Sequence, residues 1–366
     1  MKIAIVVGTR PEIIKMSPII RECEKNRDDY FILHTGQHYS YEMDKIFFEE
    51  LELSQPKYYL GIGSGSQGQQ TGRMIEKIEE ILLKEKPDIV LAQGDTNSVL
   101  SAAMATTKLG IAFGHVEAGL RSYDRTMPEE TNRVIADHVS DLLFSPTEGA
   151  RKNLAKEGIT HNVYVTGNPI VDAVFQNMEI ADRKSGILAK LGLKKDGYIL
   201  MTSHRPANVD HKEPLNNIFE SARRINEKYS LPIIFPIHPR TRKKVDEFLI
   251  EVPVGMILIE PLGFLDFLKM EANARMILTD SGGVQEESCI FHVPCVTLRE
   301  NTERPETITI GSNLLAGTDR KLILEAFDKM YKSDRKWDNP FGDGTSSVKM
   351  IAIIKDFLKK KNAGKR

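Results

Sequence analysis

The chain has 366 residues, and 41% of them are hydrophobic, which is enough apolar surface for two domains. A formal net charge of -1 gives no overall basic field, so we expect no nucleic-acid partner. No apolar run is long enough to span a bilayer, which predicts no membrane insertion. The three cysteines, Cys23, Cys289 and Cys295, lie in apolar surroundings without metal-ligand spacing, which indicates a reducing cytoplasm and predicts no metal site.

Short runs rich in Val, Ile and Leu alternate with amphipathic helical patterns along the chain. Continuous apolar strands of this length are typical of a parallel sheet with helices on both faces. The sequence therefore predicts an α/β fold of two doubly wound Rossmann-like domains, 1–168 and 169–346, that face a cleft. A last helix within 347–366 is expected to cross back to the first domain. The predicted strands are KIAIVVG, FILHTG, DIVLAQG, AFGHVE, DLLFSP and NVYVTG in the first half, and YILMTSH, PIIFPIH, MILIEP, RMILTDS and PCVTLRE in the second.

The first predicted strand leads directly into GTRPE, Gly8 to Glu12, which predicts a tight turn and a helix start. A helix start presents unpaired backbone N–H groups and the positive end of the helix dipole, so it suits a phosphate or diphosphate. The guanidinium of Arg10 stays charged and can bind a phosphate through two N–H groups, and Lys15 follows one turn into the helix. The same turn also occurs in α/β proteins as a purely structural connection, so the binding interpretation depends on the charged partners.

A second Gly-rich segment, GIGSGSQG at Gly61 to Gly68, matches neither a Walker loop nor the GxGxxG dinucleotide fingerprint. We interpret it as a mobile loop. The chain therefore gives no signal for a redox cofactor, and we expect none.

In the second half, DSGGVQEE at Asp280 to Glu287 also follows an apolar run and predicts a strand, a turn and a helix start. Ser281 and the two glycines after it let the backbone come close to a ligand. Glu286 and Glu287 then offer carboxylates to neutral hydroxyls. The second half is expected to bind a nucleotide, and the first half is expected to carry the charged groups of the site.

In doubly wound sheets, ligands bind beyond the carboxyl ends of the strands, so the residues that follow each apolar run are the candidates. For any one of them, a helix cap or a solvated loop charge is the alternative. For Asp95, which Thr96 and a helix follow, capping is as good an interpretation as catalysis. The candidates are Arg10, Gln37, His38, Asp95, His115 and Glu117 in the first half, and His204, Arg205, His238, Ser281 and Arg299 to Glu306 in the second.

Several segments, spread in order over nearly the whole chain, resemble the non-hydrolysing UDP-N-acetylglucosamine 2-epimerases. They are GTRPEIIKM, QGDTNSV, GHVEAGLRS, MPEETNR, TGNPIVD, TSHR, DSGGVQEES and TERPET. The resemblance implies the GT-B architecture of two Rossmann-like domains and an activity that interconverts UDP-N-acetylglucosamine and UDP-N-acetylmannosamine without cofactor or metal. The expected partners are these two nucleotide sugars and UDP, and the expected assembly is a homodimer.

The C2 proton of the sugar is not next to a carbonyl group, so an ordinary enolate cannot assist its removal. The family eliminates UDP across C1 and C2, which gives 2-acetamidoglucal, and then adds UDP back with protonation from the opposite face. Each proton-transfer group can contribute roughly 100- to 10,000-fold to the rate. By resemblance the catalytic residues are Asp95, Glu117, Glu129 and His204, with the carboxylates acting on the C2 proton and His204 on the leaving diphosphate.

The same resemblance assigns substrate-binding positions in both halves. Leu262 stands where a bacterial relative has glutamine in the uracil pocket. The segment from Leu120 to Pro128 is shorter than in some bacterial members, so Glu129 is aligned through a deletion. The assigned positions, together with the strand-end residue His238, are Arg10, Lys15, Leu262, Phe267, Ser281, Gly282, Gly283, Glu287 and Arg304.

Some bacterial relatives bind a second UDP-N-acetylglucosamine beside the active site, and this activator is required for the reverse reaction. Gln37 and Arg73 match positions of that site, His38 lies next to Gln37, and Ser40 replaces a glutamine. The resemblance therefore predicts a weakened regulatory site with Gln37, His38 and Arg73. Alternatively, these loops serve only to gate domain closure.

Three other functions remain open on the sequence. A hydrolysing 2-epimerase would release N-acetylmannosamine and UDP, and it differs mainly in whether water reaches the intermediate; by resemblance, GTRPE favours the non-hydrolysing branch. A GT-B glycosyltransferase would share the fold and the nucleotide site, but it needs an acceptor groove where this chain has carboxylates. A non-catalytic sensor of nucleotide sugars would not require the acid and base residues, all of which are present.

Overall fold

The computed structural model describes residues 1–36 and 41–363, with the backbone alone for residues 41–43 and 362. The predicted regulatory residues Gln37 and His38, and Ser40 beside them, lie outside the described residues. The chain divides into two compact units. Unit 1 consists of Met1–Gln176 and Phe341–Arg366, and unit 2 consists of Asn177–Pro340.

Unit 1 is built on parallel strands that are continuous apolar runs. In the first of them every residue from Ile3 to Val7 is buried, as expected of a strand with helices on both faces. The strands are β1 (Lys2–Val7), β2 (Asp29–His34), β3 (Tyr58–Tyr59), β4 (Ile89–Gln93), β5 (Ala112–Val116), β6 (Leu142–Ser145) and β7 (Val163–Val165). They form one seven-stranded sheet in the order β3-β2-β1-β4-β5-β6-β7.

The helices that begin in unit 1 are α1 (Arg10–Asn26), α2 (Tyr41–Glu50), α3 (Gln67–Glu85), α4 (Asn97–Lys108), α5 (Pro128–Val139), α6 (Glu148–Lys156), α7 (Pro169–Lys184) and α16 (Ser346–Ala363). Their apolar stripes explain the packing. In α3 the buried residues Gln70, Met74, Ile78 and Leu82 recur every fourth position and so share one helix face. Close approach also constrains the sequence, because a Cβ atom at Gly8 would lie 2.1 Å from the Ser98 hydroxyl.

The boundary between the units falls inside α7, after Gln176, and not at the predicted Gly167–Asn168–Pro169. The start of α7 belongs to unit 1 because the Asn168 N–H donates to the Phe341 carbonyl at 2.7 Å. The chain thus returns to unit 1 at Phe341.

The last helix, α16, packs against α1 within unit 1. Its first residues, Ser346 and Ser347, each donate a backbone N–H and a hydroxyl to the buried Asp172 of α7, at 2.7 to 3.2 Å. These bonds satisfy N–H groups that the helix itself leaves unpaired. Asp172 therefore fixes where α16 begins.

Unit 2 contains a second sheet of parallel strands. Its strands are β8 (Ile199–Thr202), β9 (Ile233–Pro236), β10 (Met256–Ile259), β11 (Met276–Thr279), β12 (Cys295–Thr297) and β13 (Asn313–Leu315), in the order β10-β9-β8-β11-β12-β13. Its helices are α8 (Ile187–Lys190), α9 (Pro206–Val209), α10 (Lys212–Tyr229), α11 (Pro239–Glu247), α12 (Phe264–Asn273), α13 (Gly282–Ile290), α14 (Pro305–Thr309) and α15 (Arg320–Tyr331).

The predicted α/β class with two doubly wound sheets is confirmed, and every predicted strand is present. Two short edge strands, β3 and β13, are additional. The interpretation of GIGSGSQG as a loop is wrong for its last residues, because α3 begins at Gln67 with Ser66 as its N-cap. Within residues 1–36 and 41–363, no helix combines the length and the apolar composition needed to span a bilayer.

Candidate active site

Three neighbouring strands of unit 1, in the order β1-β4-β5, end at the same edge of the sheet and bring predicted site residues together. They lead into GTRPE, Asp95 and Glu117, respectively. Lys15, one turn into α1, donates to the Glu117 carboxylate at 2.6 Å. Gln93 also donates to this carboxylate, as does Asn168 at 3.1 Å. Glu117 is therefore a buried carboxylate held by a lysine and two amides.

Glu117 also has an unusual backbone. Its φ of 69° lies in the left-handed region, which costs a non-glycine residue on the order of 1–2 kcal/mol. Gly94, which precedes Asp95, and Gly119, two residues after Glu117, have φ values of 85° and 86°, which glycine adopts without this cost. Such strain persists only where the surrounding structure holds it, and it is concentrated at functional sites.

Asp95 forms an ion pair with Arg133 of α5. Arg133 also donates to Glu130 at 2.8 Å. Glu130 is buried and accepts hydrogen bonds from the backbone N–H groups of Ser122 and Tyr123, each at 3.0 Å, so it closes the loop before α5. Burial raises the pKa of Glu130, but these donors outweigh burial and the pKa is lowered overall.

The neighbouring Glu129 is exposed, and together with Asp95 it lines an open recess of about 350 Å³ in unit 1. Amide side chains form much of the remaining wall, and they are bonded to one another. Asn97 donates to Gln67 at 2.7 Å and to Gln70 at 2.9 Å. Of the two adjacent glutamates, Glu129 is thus the one that shares a cavity with Asp95.

Glu12 is buried and is not among the predicted site residues. Its carboxyl group accepts hydrogen bonds from the Gly8 N–H and the Thr9 hydroxyl, each at 2.9 Å, and from the Thr96 hydroxyl at 2.6 Å. Burial raises the pKa of Glu12 to about 7, although the hydrogen bonds lower it. Glu12 therefore connects the start of α1 to the residue that follows Asp95.

His115, a predicted strand-end candidate, is fully buried and paired inside unit 1. Its Nδ1 lies 2.6 Å from the Asp137 carboxylate, and its Nε2 lies 2.8 Å from the Gly94 carbonyl. Both partners are acceptors, which favours a ring with hydrogen on both nitrogens. Burial lowers the pKa of His115, but Asp137 outweighs burial and the pKa is raised. Asp137 also accepts hydrogen bonds from the Gly119 N–H at 3.1 Å and from Arg121 at 2.6 Å.

In unit 2, the neighbouring strands β8 and β11 end just before His204 and Asp280. Asp280 is fully buried, and its carboxylate accepts hydrogen bonds from the backbone N–H groups of His204 and Arg205, each at 2.9 Å. Ser203 and Asn208 donate to it from their side chains, at 3.0 and 3.1 Å. Nδ1 of His204 lies 3.2 Å from the same carboxylate, while the side chain is 49% exposed. Nε2 is therefore the ring nitrogen available to a ligand.

A largely apolar pocket of about 270 Å³ opens beside His204 within unit 2. We call it the unit 2 pocket. His238 is held there as the N-cap of α11, where its Nδ1 accepts a hydrogen bond from the Arg240 N–H at 3.2 Å. The pocket brings together five residues predicted from the sequence: His204, His238, Leu262, Phe267 and Ser281.

Ser281 is the N-cap of α13, and Gly282 and Gly283 are the first residues of this helix. The Ser281 hydroxyl accepts a hydrogen bond from the Val284 N–H at 3.5 Å, and the Ser281 N–H donates to the Thr279 hydroxyl at 3.0 Å. The helix start predicted from DSGG is therefore present, and Ser281 also lines the unit 2 pocket.

The two glutamates of DSGGVQEE have different surroundings. Glu286 is 1% exposed and pairs with Nε of Arg304 at 2.6 Å, so it orients the arginine. The prediction that Glu286 serves neutral hydroxyls is therefore not supported. Glu287 is 9% exposed and lies beside the fully buried Glu271. Burial, and then the neighbouring Glu287, raise the pKa of Glu271 well above its usual value.

Two further predicted residues lie away from these contacts. Arg10 is the first residue of α1, and its guanidinium lies 5.4 Å from the centre of the Phe47 ring, which is a cation–π distance. Arg73 is exposed on α3.

Gln93, Asn168 and Asp280 support the site but were not among the predicted site residues. Each lies at a strand end or a helix start inside a family segment, namely QGDTNSV, TGNPIVD and DSGGVQEES. That position is the only signal the sequence gives. Their partners are distant in the chain, since Gln93 and Asn168 bond Glu117, and Asp280 bonds His204.

The model of the UDP-N-acetylglucosamine 2-epimerase family matches residues 21–355. The chain belongs to the UDP-N-acetylglucosamine 2-epimerase family. The UDP-N-acetylglucosamine 2-epimerase of Methanococcus maripaludis is 55% identical over 361 residues, which cover 96% of this chain and 98% of that relative. The family predicted from the sequence segments is thus confirmed.

The chain is also similar to two further proteins. The crystal structure of the enzyme from Methanocaldococcus jannaschii, in complex with UDP-GlcNAc and UDP, has 54% identity and a TM-score of 0.85, and the alignment covers 97% of this chain and 99% of that one. The UDP-2,3-diacetamido-2,3-dideoxy-D-glucuronate 2-epimerase of Pseudomonas aeruginosa is 40% identical over 97% of this chain and 99% of that protein.

Proposed function

We propose that this protein interconverts UDP-N-acetylglucosamine and UDP-N-acetylmannosamine by elimination and readdition of UDP, without net hydrolysis. A carboxylate removes the C2 proton, the C2–H electron pair forms the C1=C2 bond of 2-acetamidoglucal, and UDP leaves with the C1–O electron pair. UDP then adds back to C1 while a carboxylic acid protonates C2 from the opposite face.

The observation that carries this proposal is the group of carboxylates at the sheet edge of unit 1. Glu117 is held by Lys15, and Asp95 shares the unit 1 recess with Glu129. Epimerisation at C2 needs proton-transfer groups for both faces of the sugar, and this edge supplies more than one carboxylate. We assign the C2 proton transfers to Asp95, Glu117 and Glu129.

Unit 2 is assigned the nucleotide. The unit 2 pocket, with Leu262 and Phe267 in its wall, suits a flat base, and Ser281 at the start of α13 suits a diphosphate. His204 presents Nε2 beside Ser281, because Asp280 holds Nδ1. We propose that His204 stabilises charge on the departing diphosphate and that Arg304, oriented by Glu286, contributes a second positive charge. The structure of the M. jannaschii relative contains UDP-GlcNAc and UDP, which supports a nucleotide-sugar ligand for this chain.

A hydrolysing 2-epimerase is the nearest alternative, and it would lose the intermediate to water. A glycosyltransferase would use the nucleotide site without proton transfer at C2. The Pseudomonas relative suggests a different sugar, with a second acetamido group and a carboxylate. We favour UDP-N-acetylglucosamine because the relative with the higher identity is named for that sugar.

The test is proton NMR of the purified protein with UDP-N-acetylglucosamine in deuterated water. The proposal predicts UDP-N-acetylmannosamine with deuterium at C2 and no free sugar at early times. Accumulating N-acetylmannosamine would indicate the hydrolysing reaction, and a product that keeps its C2 hydrogen would exclude this mechanism. UDP-2,3-diacetamido-2,3-dideoxyglucuronate, supplied in parallel, distinguishes the substrate of the Pseudomonas relative.

A further inference from the structure

We propose that His115 and Asp137 are positioning residues that hold the three candidate carboxylates of unit 1 in a fixed mutual arrangement. We call them the His115–Asp137 pair. This inference rests on the proposed function, because it concerns how Asp95, Glu117 and Glu129 are kept in place.

The contacts of the pair reach each carboxylate-bearing segment. Nε2 of His115 donates at 2.8 Å to the carbonyl of Gly94, the residue before Asp95. Asp137 accepts a hydrogen bond at 3.1 Å from the N–H of Gly119, two residues after Glu117, while His115 itself lies two residues before Glu117. Asp137 also belongs to α5, the helix that begins with Pro128 and Glu129.

The same pair explains how Glu117 keeps a left-handed backbone. Before Glu117, Nδ1 of His115 lies 2.6 Å from the Asp137 carboxylate. After Glu117, the Gly119 N–H donates to the same carboxylate. A turn held at both ends cannot relax to an unstrained conformation without breaking one of these bonds. The pair is thus one restraint on the strained turn at Glu117, beside the backbone bonds that Val116 and Ala118 make on either side of it.

The chemistry of the pair indicates a role other than stability. A buried ion pair contributes little net stability, since well-packed apolar residues of similar volume are often as good. Arg121 extends the charges, with a bond to Asp137 at 2.6 Å and two bonds to Glu157 at 2.7 Å. Directional bonds to fixed backbone atoms define positions, which apolar contacts do much less well. A misplacement of about 1 Å in a catalytic group can cost on the order of 100-fold in rate.

The test is His115→Gln, assayed by initial rates and by calorimetric titration with UDP. We expect kcat to fall roughly 10- to 100-fold while KM and the affinity for UDP stay unchanged. The decisive readout is a double-mutant cycle with Glu117→Gln. If His115 acts through Glu117, His115→Gln should lower kcat by a much smaller factor in the Glu117→Gln background than in the wild type. If His115→Gln instead causes a general loss of structure, the two factors in kcat should multiply.

Two matched variants serve as controls. His138→Gln removes an exposed histidine next to Asp137 on α5 and should keep the wild-type kcat. Leu82→Ala opens the core of unit 1 on α3, so it should lower the melting temperature and leave kcat intact below that temperature. If His115→Gln does not fold, Arg121→Gln removes the outer bond to Asp137 and should lower kcat by a smaller factor.

Wild-type kcat in folded His115→Gln, or in Arg121→Gln if the first variant does not fold, would overturn the inference. So would multiplicative effects in the cycle with Glu117→Gln. Failure of the proposed function itself looks different, because Glu117→Gln would then turn over normally. The inference alone fails if Glu117→Gln is slow and His115→Gln is not.

Discussion

The sheet edges of units 1 and 2 differ in how their charges are arranged. At the edge of unit 1 the charged side chains pair with one another, as Lys15 does with Glu117 and Arg133 with Asp95. At the edge of unit 2 the buried carboxylate of Asp280 organises a loop through backbone N–H groups, and an apolar pocket stays open beside it.

This difference suggests a division of labour. Groups that are paired in the folded protein need no rearrangement when charge moves in a reaction, which is the condition for electrostatic catalysis. An open apolar pocket next to a helix start instead provides binding energy and a place for phosphate. Substitutions of the unit 1 carboxylates are therefore expected to change turnover. Substitutions at the start of α13 and in the apolar wall of the unit 2 pocket are expected to change binding, whereas His204 and Arg304 act on the leaving diphosphate and are exceptions.

The largest effect is expected in unit 2 from Ser281→Pro, which should abolish UDP binding. Proline removes the N–H that bonds Thr279 and the hydroxyl that caps α13. Calorimetric titration with UDP is the measurement, with circular dichroism to show that the variant is folded. Ser281→Ala is the control. It removes only the helix cap, so it should lower the free energy of unfolding by about 0.5–2 kcal/mol and keep the Ser281 N–H in place. Wild-type affinity in Ser281→Pro would show that the start of α13 does not hold the diphosphate.

The next effect is expected in unit 1. Asp95→Asn and Glu117→Gln should lower kcat by roughly 100-fold or more and leave UDP affinity nearly intact. Steady-state kinetics and UDP calorimetry on the same samples separate the two properties. Glu148→Gln, an exposed glutamate on α6, provides the control. If Glu117→Gln lost UDP affinity and kept its kcat, the division between the units would be wrong.

A third test concerns Glu12, whose folded pKa of about 7 lies above its usual 4.5. The folded state thus keeps a proton that the unfolded state releases. The stability from this group is fully present below pH 4.5 and is lost as the pH rises through 7, by on the order of 3 kcal/mol. The free energy of unfolding of the wild type, minus that of Glu12→Gln, should therefore fall as the pH rises.

Glu130 is the matched comparison, because its pKa is lowered and the sign reverses. Its stability is present above the unfolded pKa and is lost as the pH falls through the folded one. Urea unfolding of the wild type, Glu12→Gln and Glu130→Gln across about pH 3 to 8 covers the range in which each difference changes. If the two differences in the free energy of unfolding changed with pH in the same direction, the environments described for these buried carboxyls would be contradicted.

The smallest effect is expected at the exposed Arg73. We propose that UDP-N-acetylmannosamine alone is epimerised slowly until a little UDP-N-acetylglucosamine is added. Arg73→Gln should weaken this activation by about 0.5–1.5 kcal/mol, up to roughly tenfold in activator affinity. Initial rates of the reverse reaction with and without activator measure it, with Arg151→Gln on α6 as the exposed-arginine control. A hyperbolic rate without lag from pure UDP-N-acetylmannosamine would rule out such a site.

The architecture could be predicted because its determinants are local. Strands such as KIAIVV are continuous apolar runs, and the helices between them carry apolar stripes. The edge strand β3 has only two residues, which is too short for a periodic signal. The boundary in α7 depends on the Asn168 bond to Phe341, a contact across the chain that no local pattern encodes.

At the candidate site, residue types were predictable and pairings were not. Asp95 and Glu117 follow predicted strands, but their partners Arg133 and Lys15 depend on which strands and helices become neighbours. His115 illustrates the limit. It lies two residues from Glu117, which in a strand would place both on one face, but Glu117 lies beyond β5 in a left-handed conformation, where strand alternation no longer applies.

The capping of α16 by Asp172 also sets an order of events during protein synthesis. The residues of unit 2 are contiguous, so they leave the ribosome together. Unit 1 instead joins Asp172 to Ser346 and Ser347, which are 174 and 175 positions later in the chain. The unit whose residues are made first is therefore completed last, after all of unit 2 has been translated. Until α16 emerges, the surface of α1 that it covers stays open to solvent and to chaperones.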